Sequence, residues 1–249
     1  MKDLKAGEMF GLGWEGAKNN WLSFCLLGLL YVAVIGVRLI LKGVMEDMPM
    51  GGLLLFLLYL PVQVMVLMVV NFYCLQVAVE KGGPVSLREL NLDTDTVKNY
   101  LVTYLLVVFL IFAAILVVGG VAVVVAGLSL GWDVFSDKAG ITSAIQAMLL
   151  PLAGLGALVF ATYVYLLLTY GMTFQVVMHQ GLYGYAALAE SKRITDGAKG
   201  DIFILGAATL GIMLLGLICL LVGIIPAVMV GTVAWPSAYL SLLEQSGKA

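Results

Sequence analysis

Charge is what this sequence has least of. Only 11% of its 249 residues are Asp, Glu, Lys or Arg, where a soluble domain carries about 25%. Hydrophobic residues make up 62%. A soluble fold of this size cannot hide so much apolar surface, because its own exterior needs polar cover. Lipid is the alternative solvent. Histidine occurs once, at His179, and the cysteines Cys25, Cys74 and Cys219 lie far apart inside apolar runs. Without a CxxC or a Cys/His spacing, no metal site or redox pair is expected. HExxH, GxSxG and P-loop patterns are missing as well. "GLGWEG" has glycines but no preceding strand, so it is no phosphate loop. The net charge of -2 offers no basic footprint for nucleic acid. The chain begins polar, and its first apolar run, from Trp21, is long enough to span, so no cleavable signal peptide is expected. The closest carboxylate pairs, Asp93 with Asp95 and Asp133 with Asp137, sit on polar stretches and read as caps and solvated turns. Catalytic residues, cofactors and metal ligands are therefore expected to be none, and the chain reads as a non-enzyme.

Long apolar runs are what it has in quantity. A bilayer core about 30 Å thick needs about 20 apolar residues per helix. The runs give six spans, 21–42, 51–79, 97–128, 143–178, 202–221 and 225–243, and an all-α polytopic membrane fold in one domain, 1–249. The third and fourth exceed one crossing and must tilt, kink or project into water. Pro151 marks a bend or a first turn in the fourth. The fifth and sixth come from one uncharged run, broken at "GIIP" (Gly223 to Pro226), where glycine permits a turn and proline begins a helix. A single span with a re-entrant piece is the alternative. Basic residues set the orientation. With the N-terminus inside, Arg38, Lys42 and Lys138 fall outside and the other ten of the thirteen lysines and arginines fall on the cytoplasmic side. Both termini are expected to be cytoplasmic, in a bacterial inner membrane. The longest outer loop, 129–142, carries Trp132 and Phe135, which suit an interface.

A pattern recurs three times. "GAKNNWLSF", "DTVKNYLVT" and "DGAKGDIFI" each run from a short polar segment with a lysine into an apolar span. The even spans end alike, in "QVAVEKGG", "QVVMHQGL" and "SLLEQSGK", where Gly82, Gly181 and Gly247 stop the helix. Ahead of each odd span lies an amphipathic segment. In the first, Ala6, Phe10, Trp14, Ala17 and Trp21 recur at helical spacing and predict a face in the acyl boundary. In the second, Ser86 and Glu89 form a capping box. In the third, Tyr185, Leu188 and Ala189 share a side. Three parallel repeats follow, 5–82, 85–181 and 183–247, each an interfacial helix plus a helical hairpin.

Away from the span ends, Arg38 is the one charge within an apolar run, and it snorkels with Lys42 toward the outer headgroups. Trp14, Trp21, Arg38 and Lys42 are the candidate interfacial anchors. Ala153, Ala157 and Ala161 form a small-residue ladder, as do Ala122 with Ala126 and Ala207 with Gly211. Such faces let helix backbones approach, within the bundle or against a partner. Gln63, Asn71, Gln76, Thr103, Thr162, Thr169, Thr173 and Gln175 either bond between helices or line a path. Gln76 and Gln175 hold the same place in the first two repeats.

The last third, "AALAESKRITDGAKGDIFILGAATLGIMLLG" followed by "GIIPAVMVGTVAWPSAYLSLLEQ", resembles the bacterial membrane domain attached to some glycerophosphodiester phosphodiesterases, and related stand-alone six-span proteins of unknown function. Ser191, Gly197, Pro226, Pro236, Ala238 and Tyr239 carry the resemblance. It implies a six-span membrane fold and no reaction, since the phosphodiesterase chemistry belongs to a separate soluble domain. Two roles fit the sequence. One is a membrane scaffold or accessory subunit with a membrane-protein partner or a second copy. The other is a carrier or channel for an apolar or lipid-like solute.

Overall fold

A computed structural model describes residues 4–45, 51–90, 92–130, 149–218 and 223–247. Its helices are α1 (Ala6–Asn19), α2 (Trp21–Met45), α3 (Gly51–Val79), α4 (Thr94–Leu130), α5 (Leu149–Tyr170), α6 (Thr173–Gln180), α7 (Gly184–Thr195), α8 (Lys199–Ile218) and α9 (Ile224–Gln245). A single 3-10 turn, Leu87–Glu89, stands between α3 and α4. Six stretches are long and apolar enough to cross a membrane: Trp21–Val44, Tyr59–Val79, Thr94–Ala114, Val159–Gln180, Lys199–Ile218 and Ile224–Gln245. The chain is an all-α, multi-pass membrane protein. The long run near the C-terminus resolves into two helices of spanning length, and Pro226 sits in the first turn of α9. There its missing N–H costs nothing, because that donor has no intrahelical acceptor.

The fourth span is broken, though not by proline. Pro151 lies in the first turn of α5. The interruption comes at Gly171–Met172, between α5 and α6. Residues 143–148, and the loop with Trp132, Phe135 and Lys138, lie outside the described residues.

The chain forms two compact units, Met1–Thr103 with Thr169–Ala249, and Tyr104–Leu168. In the smaller, Phe109, Phe112, Val117 and Phe160 are exposed apolar side chains, as lipid contact requires. In the larger, α3 and α9 are the inner helices, each with 50% of its spanning window buried. The windows of α2 and α8 are only 11% and 22% buried. They turn Leu29, Leu39 and Ile40, and Phe203, Leu210 and Leu214, outward.

Helix α9 packs against α1, α3, α7 and α8. It is rich in small residues on its buried side: Ala227, Gly231, Ala234, Ser237 and Ala238. Where the backbones touch, glycine is required. A Cβ on Gly13 would stand 2.6 Å from the Val230 carbonyl oxygen, and one on Gly231 would stand 2.8 Å from Thr209 Cγ2. Gly16 meets Val77 and Val233 in the same way. At the other end of α1, the Leu4 N–H donates to the Asp201 carboxylate (3.3 Å).

Two of the segments ahead of the odd spans are helices, α1 and α7. The remaining segment, the one ahead of α4, is not an α-helix over its described residues 85–90 and 92–93. Ser86 Oγ accepts from the Arg88 N–H (3.3 Å), but only the one 3-10 turn follows. The reason is tertiary. Val85, Leu87 and Leu90 pack on the cluster of Phe24, Leu27, Tyr73, Cys74, Val77 and Val233, and a near-extended chain delivers them there. The face of α1 follows its periodicity at the tryptophans and departs from it at Ala17. Met9, Gly13, Gly16 and Ala17 are buried, while Trp14 and Trp21 remain 59% and 61% exposed. Small residues and Met9 make the protein side of α1, and the tryptophans keep the outer side, as an acyl-boundary face requires.

Candidate functional site

At the bases of two hairpins, within the larger unit, polar side chains do one job twice, while Asn71, Thr209 and Ser237 inside the spans donate to carbonyls of their own helices. Asn19 follows Lys18 at the entrance to the first hairpin, and its Nδ2 donates to the Gly82 carbonyl (2.8 Å). Asn99 follows Lys98 at the entrance to α4, and its Nδ2 donates to the Gly181 carbonyl (3.2 Å). Gly82 and Gly181 both hold left-handed backbone, φ 81° and 70°, which suits a residue without Cβ. Three residues beyond each glycine, the chain donates again. The Val85 N–H goes to Asn20 Oδ1 (2.7 Å), and the Gly184 N–H goes to Thr103 Oγ1 (2.9 Å). Each of the first two repeats is therefore latched at its base by an asparagine and a second side-chain oxygen. The third repeat has Gly200 where the asparagine would stand, although Gly247 keeps the left-handed stop, φ 73°.

Around the first latch the bonding is dense. Asn20 is buried, and its Nδ2 donates to the carbonyls of Gly16 (3.0 Å) and Gly83 (2.8 Å). The hydroxyl of Tyr73, a wholly buried side chain, lies 3.1 Å from Asn20 Oδ1 and 3.2 Å from the Val85 carbonyl. Its ring meets Phe24 edge-on, with centroids 5.3 Å apart.

The broken fourth span makes the second polar focus. The break frees the carbonyl of Thr169, and two side chains of α7 recover it, Ser191 Oγ (3.2 Å) and Thr195 Oγ1 (3.1 Å). Thr173 Oγ1 donates to the Tyr170 carbonyl (2.7 Å). Irregular backbone is tolerated at membrane depth only when protein satisfies it, which is what α7 does here. Nearby, His179 Nδ1 lies 3.2 Å from the Tyr239 hydroxyl, and Gln180 Nε2 donates to the same oxygen (3.2 Å). Arg193 forks onto Glu190 through Nε and Nη2, both 2.8 Å, and reaches Ser246 Oγ (3.2 Å). The Glu190 carboxylate pushes the Arg193 pKa above its ordinary value, so this guanidinium stays cationic at any working pH. These contacts tie α6, α7 and α9 together.

The anticipated anchors occupy distinct settings. Arg38 lies over the Tyr59 ring, 4.9 Å from its centroid, so a cation–π contact with α3 joins its exposure. Lys42 is exposed. Trp14 and Trp21 flank a groove of about 280 Å³ with Ala17, Lys18, Pro226 and Met229. Trp21 also borders a second, of about 400 Å³, with Asn19, Ser23, Pro84 and Ser86.

The small-residue faces fare differently from their spacing. A Cβ on Gly211 would meet nothing within 4 Å, and Ala207 is exposed. Within the larger unit, that face of α8 is uncovered. Ala157 and Ala161 are exposed as well, and the side chains of Ala153, Ala122 and Ala126 lie outside the described residues. The close contacts belong instead to Gly13, Gly16 and Gly231, which sequence reasoning passed over. Their signal was faint: Gly13 and Gly16 stand one turn apart on a helix too polar to read as a packing helix. Among the described residues no group of three His, Cys, Asp or Glu is arranged to hold a metal. Compared with family models, curated proteins and solved structures, the chain matches none.

Proposed function

We propose that this chain is a non-enzymatic scaffold or accessory subunit of a bacterial inner-membrane complex, with both termini and the latched hairpin bases cytoplasmic. One observation carries the reading. Polar groups that a transport path or a reaction would use are spent on holding helices together. Asn19, Asn20, Asn99 and Thr103 close hairpin bases. Ser191 and Thr195 mend the break in the fourth span. Such bonds fix geometry, which suits a scaffold. The uncovered Ala207–Gly211 face of α8 gives a partner or a second copy a place to approach closely. The resemblance of residues 186–245 to the membrane domain of some phosphodiesterases fits a membrane part that serves another protein.

A carrier of an apolar or lipid-like solute is the second reading. Gln175 favours it, since its buried amide oxygen has no hydrogen-bond partner among the described residues. An orphaned acceptor inside a membrane protein is the kind of group a solute engages.

Mild detergent extraction followed by native mass spectrometry separates the two. A stoichiometric protein partner or dimer is expected, lost in Gly211→Leu with helical content unchanged, and retained in His179→Ala. A monomer holding one apolar solute, released by Gln175→Leu, would contradict the scaffold and support the carrier.

A further inference from the structure

The entrance to α1 repeats a contact found at both latches. At the first hairpin base the Val85 N–H donates to Asn20 Oδ1 (2.7 Å), and at the second the Gly184 N–H donates to Thr103 Oγ1 (2.9 Å). At the third base the donor comes from the other end of the chain, where the Leu4 N–H meets Asp201 Oδ2 (3.3 Å). Asp201 stands two residues after Lys199, as Asn20 stands two after Lys18, and Thr103 lies about one turn further along its helix. Leu4 and Val85 each precede a helical element by two residues, α1 and the turn Leu87–Glu89, and Gly184 opens α7. Each time, a backbone N–H at the entrance of one repeat is held by a side-chain oxygen at the base of another.

Packing follows the same order. The 85–90 segment seats Val85, Leu87 and Leu90 on the first hairpin, against Phe24, Leu27, Tyr73, Cys74 and Val77. Helix α7 packs on α6 of the second, where Ser191 and Thr195 also bond the Thr169 carbonyl. Helix α1 packs on α9 of the third, with Gly13 against Val230 and Gly16 against Val233. The first two of these segments follow their host hairpin directly in sequence. Helix α1 lies at the opposite end of the chain from α9, so only non-covalent contacts hold it there. From this cyclic order we infer that the three entrance segments close a ring, and that α1 is its strap, able to open while the rest of the ring stays shut. Chain ends detach first unless they are tied down, and the Leu4–Asp201 bond is the tie at this one. Releasing α1 breaks its own contacts alone. Neither 85–90 nor α7 can leave without dragging a span on each side of it. The device rests on the order of the repeats and is the same for a scaffold or a carrier.

Cysteine accessibility in detergent micelles reads the strap directly. Met9, on the buried side of α1, and Val176, buried in α6, are replaced singly by cysteine. The background has Cys25, Cys74 and Cys219 changed to alanine. A hydrogen bond to a carboxylate changes an opening equilibrium several-fold. Asp201→Ala should therefore raise the maleimide rate of Met9→Cys several-fold and leave that of Val176→Cys alone. Asp201→Asn, which keeps an oxygen acceptor as Asn20 does, should stay near the parent. An unchanged Met9→Cys rate in Asp201→Ala would overturn the strap, and so would equal acceleration of both reporters, which means general loosening. A circular permutant beginning at Pro84 and ending at Gly83, with Ala249 linked to Met1, tests the ring. It should keep the parent's helical content and slow the Met9→Cys reaction, because α1 is then tethered at both ends. A permutant that fails to fold across a series of linker lengths, or folds with Met9→Cys as reactive as in Asp201→Ala, would contradict the closed ring.

Discussion

Asn19 and Asn99 show how a residue can be small in energy and large in consequence. Each donates one hydrogen bond, from the first helix of a hairpin to the carbonyl that ends the second. A bond of this kind contributes about 1 kcal/mol net. Asn20 differs, because it is buried and serves the Gly16 and Gly83 carbonyls, the Val85 N–H and the Tyr73 hydroxyl together. Removing a buried partner exposes each group it served to a desolvation cost of about 1–3 kcal/mol. Equilibrium unfolding in mixed micelles should therefore rank Asn20→Ala well below Asn19→Ala and Asn99→Ala, with the last two within about 1 kcal/mol of the parent. If Asn20→Ala were no worse than Asn19→Ala, the buried network would have no special role. Glycines follow the same logic of position. Gly231→Leu must displace Thr209 and Met213, and overfilling a packed site costs about 1–3 kcal/mol. Gly211→Leu meets open space and should leave the unfolding midpoint of the isolated protein unchanged. A Gly211→Leu loss as large as that of Gly231→Leu would mean the α8 face is packed after all.

At the scale of elements, the spans were legible because a membrane helix announces itself by length and by absence of charge. Their ends were legible too: Gly82, Gly181 and Gly247 read as helix stops and all hold left-handed backbone. The bend in the fourth span was legible only as excess length. Of the two readings of Pro151, a bend or a first turn, the first turn holds, where proline is harmless, and the break falls at Gly171–Met172, where glycine permits it. The segment 85–94 has a capping signal and still does not continue as a helix. Local propensity there is worth little beside burying Val85, Leu87 and Leu90. The latches were half legible. The lysine ahead of each span stood out by repetition, while the asparagine after it and its bonding to glycine carbonyls at the hairpin's other end did not. A hydrogen bond across that separation leaves no periodic trace. The protein-facing side of α1 was not legible for a related reason. Hydrophobic periodicity finds Trp14 and Trp21, while helix contacts in a membrane favour glycine, which carries no hydrophobic signal.

For the whole molecule, the account rests on the hairpin bases sharing one face of the membrane. Both latches occupy the same compact unit, and α1, α6, α7 and α9 are bonded into it by short polar contacts. We propose that this face is cytoplasmic, because in the expected six-span topology ten of the thirteen lysines and arginines go with it. Site-directed labelling with a membrane-impermeant maleimide is the most direct test. Single cysteines replace Lys5, Lys138 and Lys248 in a background with Cys25, Cys74 and Cys219 changed to alanine. In intact spheroplasts only the cysteine at position 138 should react, and those at 5 and 248 should react after lysis alone. Labelling of position 138 from the same side as position 5 would contradict the six-span topology, and with it the placing of both latches on the cytoplasmic face.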